Sequence, residues 1–306
     1  MKRQLAEMEV EIPKSTDLKY GSLWKGAQWI DNWYAVDKID DHTYILMEPK
    51  SSQYNSSYLI IGDKIAILLD VGSGERPKNS KSIKEIAQLY TQLPVLPVVS
   101  HFHFDHTGDV EKFPEGFGMI DLPQIKKKVG TDSLYKTAIT EHGKLHWKKK
   151  DLSPVLKVKQ WLPNNDYLDL GNRKIKFINL GGHTPETTIL IDEARNYIFT
   201  GDFLYKDLGG IVAFAPGVKL QEYADSASRL VSLSNQNTQF FGAHGEARFD
   251  YAWAKTLDRC FSKILNDEYP YQISYSFLTP GVPLRAYIEG KMVVFGDPLT
   301  NPVKKK

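Results

Sequence analysis

The chain contains 306 residues, 42% hydrophobic and 12% aromatic, which is enough to bury the core of one large domain or of two small ones. Its 39 basic and 37 acidic residues leave a formal net charge of +2, so the overall charge indicates neither a nucleic-acid nor a membrane partner. The sequence contains no apolar signal core and nothing near the roughly 18 apolar residues of a membrane span. We therefore expect a cytoplasmic globular protein, with no oligomeric state indicated.

The first part of the chain predicts an α/β arrangement. Residues 1–40 carry aromatic side chains without periodicity, and we interpret them as an extension packed on the body. Apolar patterns then predict three strands, a helix and a fourth strand, at HTYILME (42–48), SYLIIG (57–62), KIAILLDVG (64–72), SKSIKEIAQLYTQL (80–93) and LPVVS (96–100). This order is typical of an α/β fold.

A second series of elements begins near Arg173. Three strands, a helix and a fourth strand are predicted at KIKFINL (174–180), TTILID (187–192), NYIFTGD (196–202), LQEYADSASRLVSL (220–233) and TQFFGAH (238–244). Residues 58–72 and 187–202 each contain two strands that end at an aspartate beside a glycine, which predicts two related halves. Cys260, the only cysteine, excludes an intrachain disulfide, and its helical spacing among apolar residues indicates a packing role.

We expect one domain over residues 41–300 with a basic, helical insert at about 124–160, followed by a flexible tail at 301–306. The insert contains ten lysines and three acidic residues. Two interpretations stay open: a solvated helical face, or a lid that attracts an anionic part of a substrate.

The segment VVSHFHFDHTGD, residues 98–109, concentrates three histidines and an aspartate after an apolar strand. Alternate side chains of a strand share one side, so His101 and His103 can converge on one metal ion while Phe102 turns into the core. Asp105 and His106 follow on a turn and can face a second ion. Imidazole nitrogen and carboxylate oxygen are ligands that zinc accepts at about 2.0 to 2.2 Å.

Four ligands are too few for two ions, and the chain offers three more in similar settings. His183 follows KIKFINL, Asp202 follows NYIF, and His244 follows TQFF. Each lies where an apolar strand meets a loop of small residues, which is where sites form in α/β sheets. Five of the eight histidines thus belong to the predicted metal site.

This motif set resembles the metallo-β-lactamase-fold hydrolases, from about Tyr44 to His244. The resemblance implies an αββα sandwich, with one ion on His101, His103 and His183, another on Asp105, His106 and His244, and Asp202 bridging the two. It further implies that Asp70, in LLDVG, supports the site by fixing a ligand.

Two departures from the family pattern lie beside the ligands. Asp109 replaces a glycine that usually follows the histidine cluster, and Glu186 replaces the glycine of GHTPG. Both changes remove a residue that readily takes positive φ, but neither removes a ligand.

The resemblance also implies the chemistry: hydrolysis by a hydroxide that bridges two divalent ions, zinc in the first place and iron or manganese otherwise. A covalent intermediate is then not required, and Asp105 is the carboxylate best placed to pass a proton to the leaving group. Tyr205, three residues after Asp202, is a candidate donor to the developing oxyanion.

Several small-molecule substrates stay open at this point. TGDFLY resembles the glyoxalase-II-type pattern, which favours a thioester, and the lysine-rich insert favours an anionic carrier such as glutathione or coenzyme A. A lactonase of the homoserine-lactone type is the main alternative. A phosphodiester or nucleic-acid hydrolase and a single-iron oxygenase are further alternatives, although the separation of 77 positions from His106 to His183 is too short for the large inserted domain of nuclease members.

Overall fold

The computed structural model describes residues 23–129, 134–136, 155–206, 209–214, 218–266, 269–275 and 283–298. Its strands are β1 Gln28–Trp29, β2 Ala35–Asp40, β3 Thr43–Glu48, β4 Asn55–Ile61, β5 Ala66–Leu69, β6 Val95–Val98, β7 Phe117–Ile120, β8 Leu134–Lys136, β9 Val155–Leu162, β10 Asp166–Asp169, β11 Lys174–Asn179, β12 Thr188–Asp192, β13 Tyr197–Gly201, β14 Ile211–Val212, β15 Gln239–Gly242, β16 Arg248–Asp250, β17 Gln272–Tyr275, β18 Pro283–Glu289 and β19 Met292–Pro298. Its α-helices are α1 Ile83–Ala87, α2 Pro123–Val129, α3 Leu220–Ser232 and α4 Tyr251–Leu265, and short 3-10 helices form at Phe104–His106 and Val110–Lys112.

Two sheets form the centre of an αββα sandwich. The first has the strand order β1-β2-β3-β4-β5-β6-β7-β9-β8, and the second has the order β10-β11-β12-β13-β15-β16. Neighbouring side chains along each strand of the second sheet point to opposite faces, so the sheet lies between two apolar cores. Phe177 and Phe199 pack into the core shared with the first sheet, whereas Ile178 and Ile198 pack into a second core with α3 and α4. A sheet that is buried on both faces needs such continuous apolar strands.

The predicted similarity of the two halves is visible in the topology. Strands β4 and β5 form an antiparallel pair, and β6, which follows α1, lies parallel to β5. Strands β12 and β13 form the corresponding antiparallel pair, and β15, which follows α3, lies parallel to β13. The loops after β5, β6, β13 and β15 are therefore gathered at one edge of the sandwich.

A buried ion pair marks the opposite end of the strands. Arg173 contacts Asp192 (Nε to Oδ2, 2.8 Å) and also donates to the carbonyl of Ile61 at 3.1 Å and to Thr43 Oγ1 at 2.8 Å. Both members of the pair are almost fully buried. Because it joins the start of β11 and the end of β12 to the first sheet, this pair ties the two halves together.

Three local differences from the sequence predictions have physical reasons. Helix α1 is shorter than residues 80–93, because Leu89 is 56% exposed and does not continue a buried face. Among the described residues of the insert, a helix lies at its start and strands β8 and β9 follow. Strand β9 occupies its last residues, where Val158 is buried between the exposed Lys157 and Lys159, a two-residue alternation typical of a strand. The first sheet also extends back to β1, within the expected N-terminal extension. Residues 1–22, 130–133, 137–154 and 299–306 lie outside the described chain, so most of the insert and the tail stay predictions.

A four-stranded sheet in the order β14-β19-β18-β17 completes the fold. Cys260 is buried in the core between α3 and α4, as its helical spacing predicts, and burial raises the pKa of its thiol to about 12. Within the part of the chain that the structure describes, no helix has the length and apolarity needed to cross a membrane.

Candidate metal centre

The seven predicted ligand residues meet at the edge where the loops of both halves converge. His183 follows β11, Asp202 follows β13 directly, and His244 follows β15. His101 and His103 reach this edge differently from the prediction. Strand β6 ends at Val98, so the two histidines lie in the loop beyond it and not on a strand, although Phe102 is buried as expected.

The structure arranges these side chains in two groups that share Asp202. In the first ligand group the ligand atoms of His101, His103, His183 and Asp202 all lie within 4.8 Å of one another. In the second ligand group the same is true of Asp105, His106, His244 and Asp202. This is the division that the family resemblance implies.

The carboxylate of Asp202 lies between the two ligand groups. Its Oδ1 lies 3.1 Å from His106 Nε2 and 3.0 Å from His244 Nε2, in the second ligand group. Its Oδ2 lies 3.7 Å from His101 Nε2 and 3.5 Å from His183 Nε2, in the first ligand group, and also 3.1 Å from His244 Nε2. One carboxylate can therefore serve both groups at once.

The donor atoms fit metal ions better than they fit one another. His103 Nδ1 lies 2.9 Å from His101 Nε2 and 3.0 Å from His183 Nε2, so three imidazole nitrogens converge on one point. In the second ligand group His106 Nε2 and Asp202 Oδ1 are buried without a hydrogen-bond partner. Buried polar atoms usually have partners, so these two atoms fit a metal ion that both would bind. Nitrogen and carboxylate donors of this kind suit zinc.

Four of the five histidines have their other ring nitrogen beside a hydrogen-bond acceptor. His106 Nδ1 donates to Asp70 Oδ2 at 2.9 Å, and His101 Nδ1 lies 3.0 Å from Ser100 Oγ. His183 Nδ1 lies 3.3 Å from the carbonyl of Val212, and His244 Nδ1 lies 3.1 Å from that of Gln53. These contacts favour the tautomer that keeps a free lone pair on each Nε2, as is usual for metal-binding histidines.

Asp70 holds the histidine loop from the end of β5, the strand next to β6 in the same sheet. Its Oδ1 accepts from Ser100 N at 2.7 Å, and its Oδ2 accepts from Ser100 Oγ at 3.0 Å as well as from His106. The Ser100 hydroxyl can then accept from His101 Nδ1, which links Asp70 to both ligand groups. Asp70 takes a positive φ of 63°, which aspartate tolerates better than most residues. The motifs did not indicate the part played by Ser100.

The charges of the centre are strongly coupled. Burial lowers the pKa of His101 well below its ordinary value. Burial also acts against the charge on His106, but Asp202 and Asp105 hold the pKa of that imidazole well above its usual range. Although burial would raise it, the pKa of Asp202 is held well below its ordinary value by His106, His244 and His101. Asp202 is therefore an ionised carboxylate suited to binding a cation.

Tyr205 lies beside the second ligand group. Its ring stands perpendicular to that of His244 with centroids 5.3 Å apart, and its hydroxyl donates to the carbonyl of Gly210 at 2.6 Å and accepts from Val212 N at 3.2 Å. Burial raises the pKa of Tyr205 well above its usual range, so the hydroxyl keeps its proton. Its hydrogen already has an acceptor, and the predicted oxyanion role requires this bond to be exchanged for one to the substrate.

Asp109, one of the two departures from the family pattern, forms a partly buried ion pair with Arg76. Its carboxylate accepts from Arg76 Nε at 2.7 Å and from the backbone N–H of Ile83, at the start of α1, at 2.8 Å. Its φ of −102° shows that no glycine is needed there. The loop that follows the histidine cluster is thereby tied to α1.

A buried acid also supports the loop after Asp70. Glu48 accepts from Trp33 Nε1 at 2.7 Å, from Ser73 N at 2.7 Å and from Ser73 Oγ at 2.9 Å. Burial raises the pKa of its carboxyl from 4.5 to about 7, although the hydrogen bonds from Trp33 and Ser73 act in the opposite direction.

We expect Glu48 to make the stability of the protein dependent on pH. A carboxyl whose pKa is raised in the folded state stabilises the fold below its unfolded pKa, and this contribution is lost as the pH rises through the folded pKa. Between about pH 4.5 and about pH 7 the parent should therefore lose about 3 kcal/mol of unfolding free energy relative to Glu48→Gln. Urea unfolding of both proteins at several pH values measures the difference, and parallel curves would contradict it.

Comparison with known proteins agrees with this geometry. The family model of the metallo-beta-lactamase superfamily matches residues 53–244, and the chain belongs to this superfamily. Acyl-coenzyme A thioesterase MBLAC2 of Homo sapiens is 23% identical over 219 residues, which cover 66% of this chain and 76% of the relative. Hydroxyacylglutathione hydrolase of Dictyostelium discoideum is 23% identical over 235 residues, which cover 70% of this chain and 76% of the relative.

Solved structures support the fold. A metallo-beta-lactamase from Pontibacter korlensis superposes with a TM-score of 0.55 at 17% identity, over 75% of this chain and 99% of its own. DIM-1 metallo-beta-lactamase superposes with a TM-score of 0.57 at 14% identity, over 76% of this chain and 98% of its own. At such identities the likeness shows the αββα fold alone. The named relatives in addition support a hydrolase.

Proposed function

We propose that this protein hydrolyses a thioester with an anionic carrier and that it binds two divalent ions, zinc in the first place, at the two ligand groups. The observation that carries the proposal is the sharing of Asp202, whose carboxylate lies beside histidines of both ligand groups. The names of two relatives, an acyl-coenzyme A thioesterase and a hydroxyacylglutathione hydrolase, favour a thioester over other substrates.

The seven metal-binding residues fall into the two ligand groups. His101, His103 and His183 would hold one ion, Asp105, His106 and His244 would hold the other, and Asp202 would serve both groups. When bound, two divalent ions polarise the carbonyl of a substrate and lower the pKa of a water molecule toward neutrality. Asp105 is the side chain that can pass a proton to the thiolate leaving group. Cys260 is no alternative nucleophile, because it is buried in the core beneath α3 and α4.

A lactonase is the second candidate, and Tyr205 is the observation that favours it. The ring of Tyr205 packs on His244, and its hydroxyl accepts from the backbone N–H of Val212, whose carbonyl lies 3.3 Å from His183 Nδ1. We expect Tyr205→Phe to lower kcat by about 10- to 1,000-fold if the hydroxyl donates to the developing oxyanion. Zinc content should change little, because the ring and its contact with His244 are retained, whereas urea unfolding should show the loss of the hydroxyl's bonds to Gly210 and Val212. An unchanged kcat would assign Tyr205 to packing against β14.

The anionic carrier predicts a salt effect on capture of the substrate. Exposed charges interact over about 10 Å at 0.1 M salt and over much less at 1 M. We expect kcat/KM for an acyl-coenzyme A to fall by about tenfold from low to high salt, while that of a neutral thioester barely changes. Changing Lys148, Lys149 and Lys150 together to glutamine should flatten the response.

The matched control for this triple variant is Lys64→Gln with Lys174→Gln, at the opposite end of the strands, which should keep the salt response of the parent. If neutral and anionic substrates respond alike, the lysine-rich segment does not recognise a carrier.

A substrate panel tests the proposal as a whole. An acyl-coenzyme A, an acylglutathione, a homoserine lactone and a phosphodiester are compared by kcat/KM with the zinc-loaded protein. We expect the two thioesters to be hydrolysed at least about tenfold faster than the others. A lactone that is preferred by the same margin would replace the thioester proposal with the lactonase. Iron in a single group, with oxygen consumption, would indicate the oxygenase.

A further inference from the structure

The start of β4 runs along the second ligand group. Gln53 and Asn55 are both buried, and Tyr54 lies between them with a positive φ of 48°. A residue with a side chain rarely adopts this left-handed conformation, and residues that do so cluster at functional sites. Tyr54 is held there by its ring contact with Trp24, at 5.7 Å between centroids, and by the hydrogen bond from Trp24 N to its hydroxyl at 3.2 Å.

Both amides donate to Asp105. Gln53 Nε2 lies 2.8 Å from Asp105 Oδ2, and Asn55 Nδ2 lies 3.2 Å from the same oxygen and 3.0 Å from the backbone carbonyl of Asp105. That oxygen also faces the histidines of the second ligand group, at 3.5 Å from His106 Nε2 and 3.4 Å from His244 Nε2. The two amides thus fix the ligand atom itself, and Ser51 Oγ, which donates to Asn55 Oδ1 at 3.0 Å, orients one of them.

The same segment also holds His244. The carbonyl of Gln53 lies 3.1 Å from His244 Nδ1, and Asn55 forms an antiparallel bridge with His244. Asp105 and His244 belong to the second ligand group alone. His101 and His183 of the first group have different supports, at Ser100 and Val212.

We propose that Gln53 and Asn55 are positioning residues that set the affinity of the second ligand group for its ion independently of the first. This inference rests on the metal-binding part of the proposed function. The amide N–H groups hold Asp105 Oδ2 in the orientation that an ion needs, and they lower the cost of reorganising the carboxylate when the ion binds. Losing hydrogen-bond partners of a metal ligand typically lowers the metal affinity by about 10- to 100-fold.

The variants are chosen to remove the donors and keep the volume. Gln53→Met and Asn55→Leu replace each amide by an apolar side chain of similar shape, and the backbone contacts of Gln53 with His244 stay in place. The matched control is Asp192→Asn, which weakens the buried ion pair with Arg173 at the opposite end of the strands. A second control, His103→Ala, removes a ligand of the first group only.

The experiment titrates metal-free protein with zinc against a chromophoric chelator and counts bound zinc by mass spectrometry. We expect Gln53→Met, Asn55→Leu and the double variant to keep one ion at the parent affinity and to bind the other about 10- to 100-fold more weakly. Asp192→Asn should bind both ions as the parent does, and His103→Ala should retain the ion of the second group.

Two results would overturn the inference. Either the double variant binds both ions with the affinity of the parent, or it loses the same amount of affinity for both ions. Circular dichroism and urea unfolding, compared with Asp192→Asn, show whether a variant has simply lost stability, and the single variants provide the test if the double variant does not fold. A parent protein that binds no zinc would instead overturn the proposed function, which is a separate outcome.

Discussion

Asp202→Ala should abolish most of the hydrolytic activity and lower the affinity for both metal ions together. The Asp202 carboxylate lies within 3.7 Å of His106 and His244 in one group and of His101 and His183 in the other, so its removal takes a ligand from each group. We expect kcat/KM to fall by about 1,000-fold, the upper end of the loss seen when one electrostatic contact of an active site is removed. Steady-state kinetics with an acyl-coenzyme A and zinc titration of the same samples provide the measurement.

Asp202→Asn serves as the companion variant, because it keeps the shape and one possible ligand oxygen while removing the charge. It should fall between the parent and Asp202→Ala. Selective loss of one ion in Asp202→Ala, with the other bound as in the parent, would show that the carboxylate does not serve both groups.

Asp70→Asn should weaken metal binding without changing any ligand. The Asp70 carboxylate accepts three hydrogen bonds, from Ser100 N, Ser100 Oγ and His106 Nδ1. An asparagine side chain offers one acceptor oxygen, so its amide N–H groups must face a donor. We expect metal affinity and kcat/KM to fall by about 10- to 100-fold, the usual cost of losing a hydrogen-bond partner of a metal-binding histidine.

Asparagine is the right substitute at this position because, like aspartate, it tolerates the positive φ of 63°. The variant therefore separates the hydrogen bonds from backbone strain, which alanine would add. Asp192→Asn provides the control for removing a buried carboxylate far from the centre. If Asp70→Asn and Asp192→Asn have the same small effect on zinc affinity, Asp70 has no special part in orienting the histidines.

Much of the fold and of the ligand set could be predicted from the sequence because strand ends are local signals. Apolar runs that stop at small residues located the loops of His183, Asp202 and His244, and the related segments 58–72 and 187–202 share one topology in the structure. The αββα sandwich and the division into two groups came from the resemblance of the motifs to a family. The role of each ligand stays a prediction until metal binding is measured.

The remaining contacts depend on tertiary structure. Gln53 and Asn55 come within hydrogen-bonding distance of Asp105 only because β4 crosses toward the histidine loop, about fifty residues away along the chain. His101 and His103 converge through a loop, whereas the two-residue spacing suggested a strand. Asn55 is a polar residue in a fully buried strand. Because buried polar groups need hydrogen-bond partners, its position would have indicated a functional contact if the strand had been known to be fully buried.

The central claim is that the two ligand groups hold two ions, and metal analysis tests it most directly. The protein is purified without chelators or added metal, and its divalent ions are counted by inductively coupled plasma mass spectrometry against protein concentration. The account predicts about two ions per chain, with zinc as the main metal, in line with the two-metal sites of hydrolases. A chain that carries no metal, or that saturates at one ion when zinc is added, would contradict it.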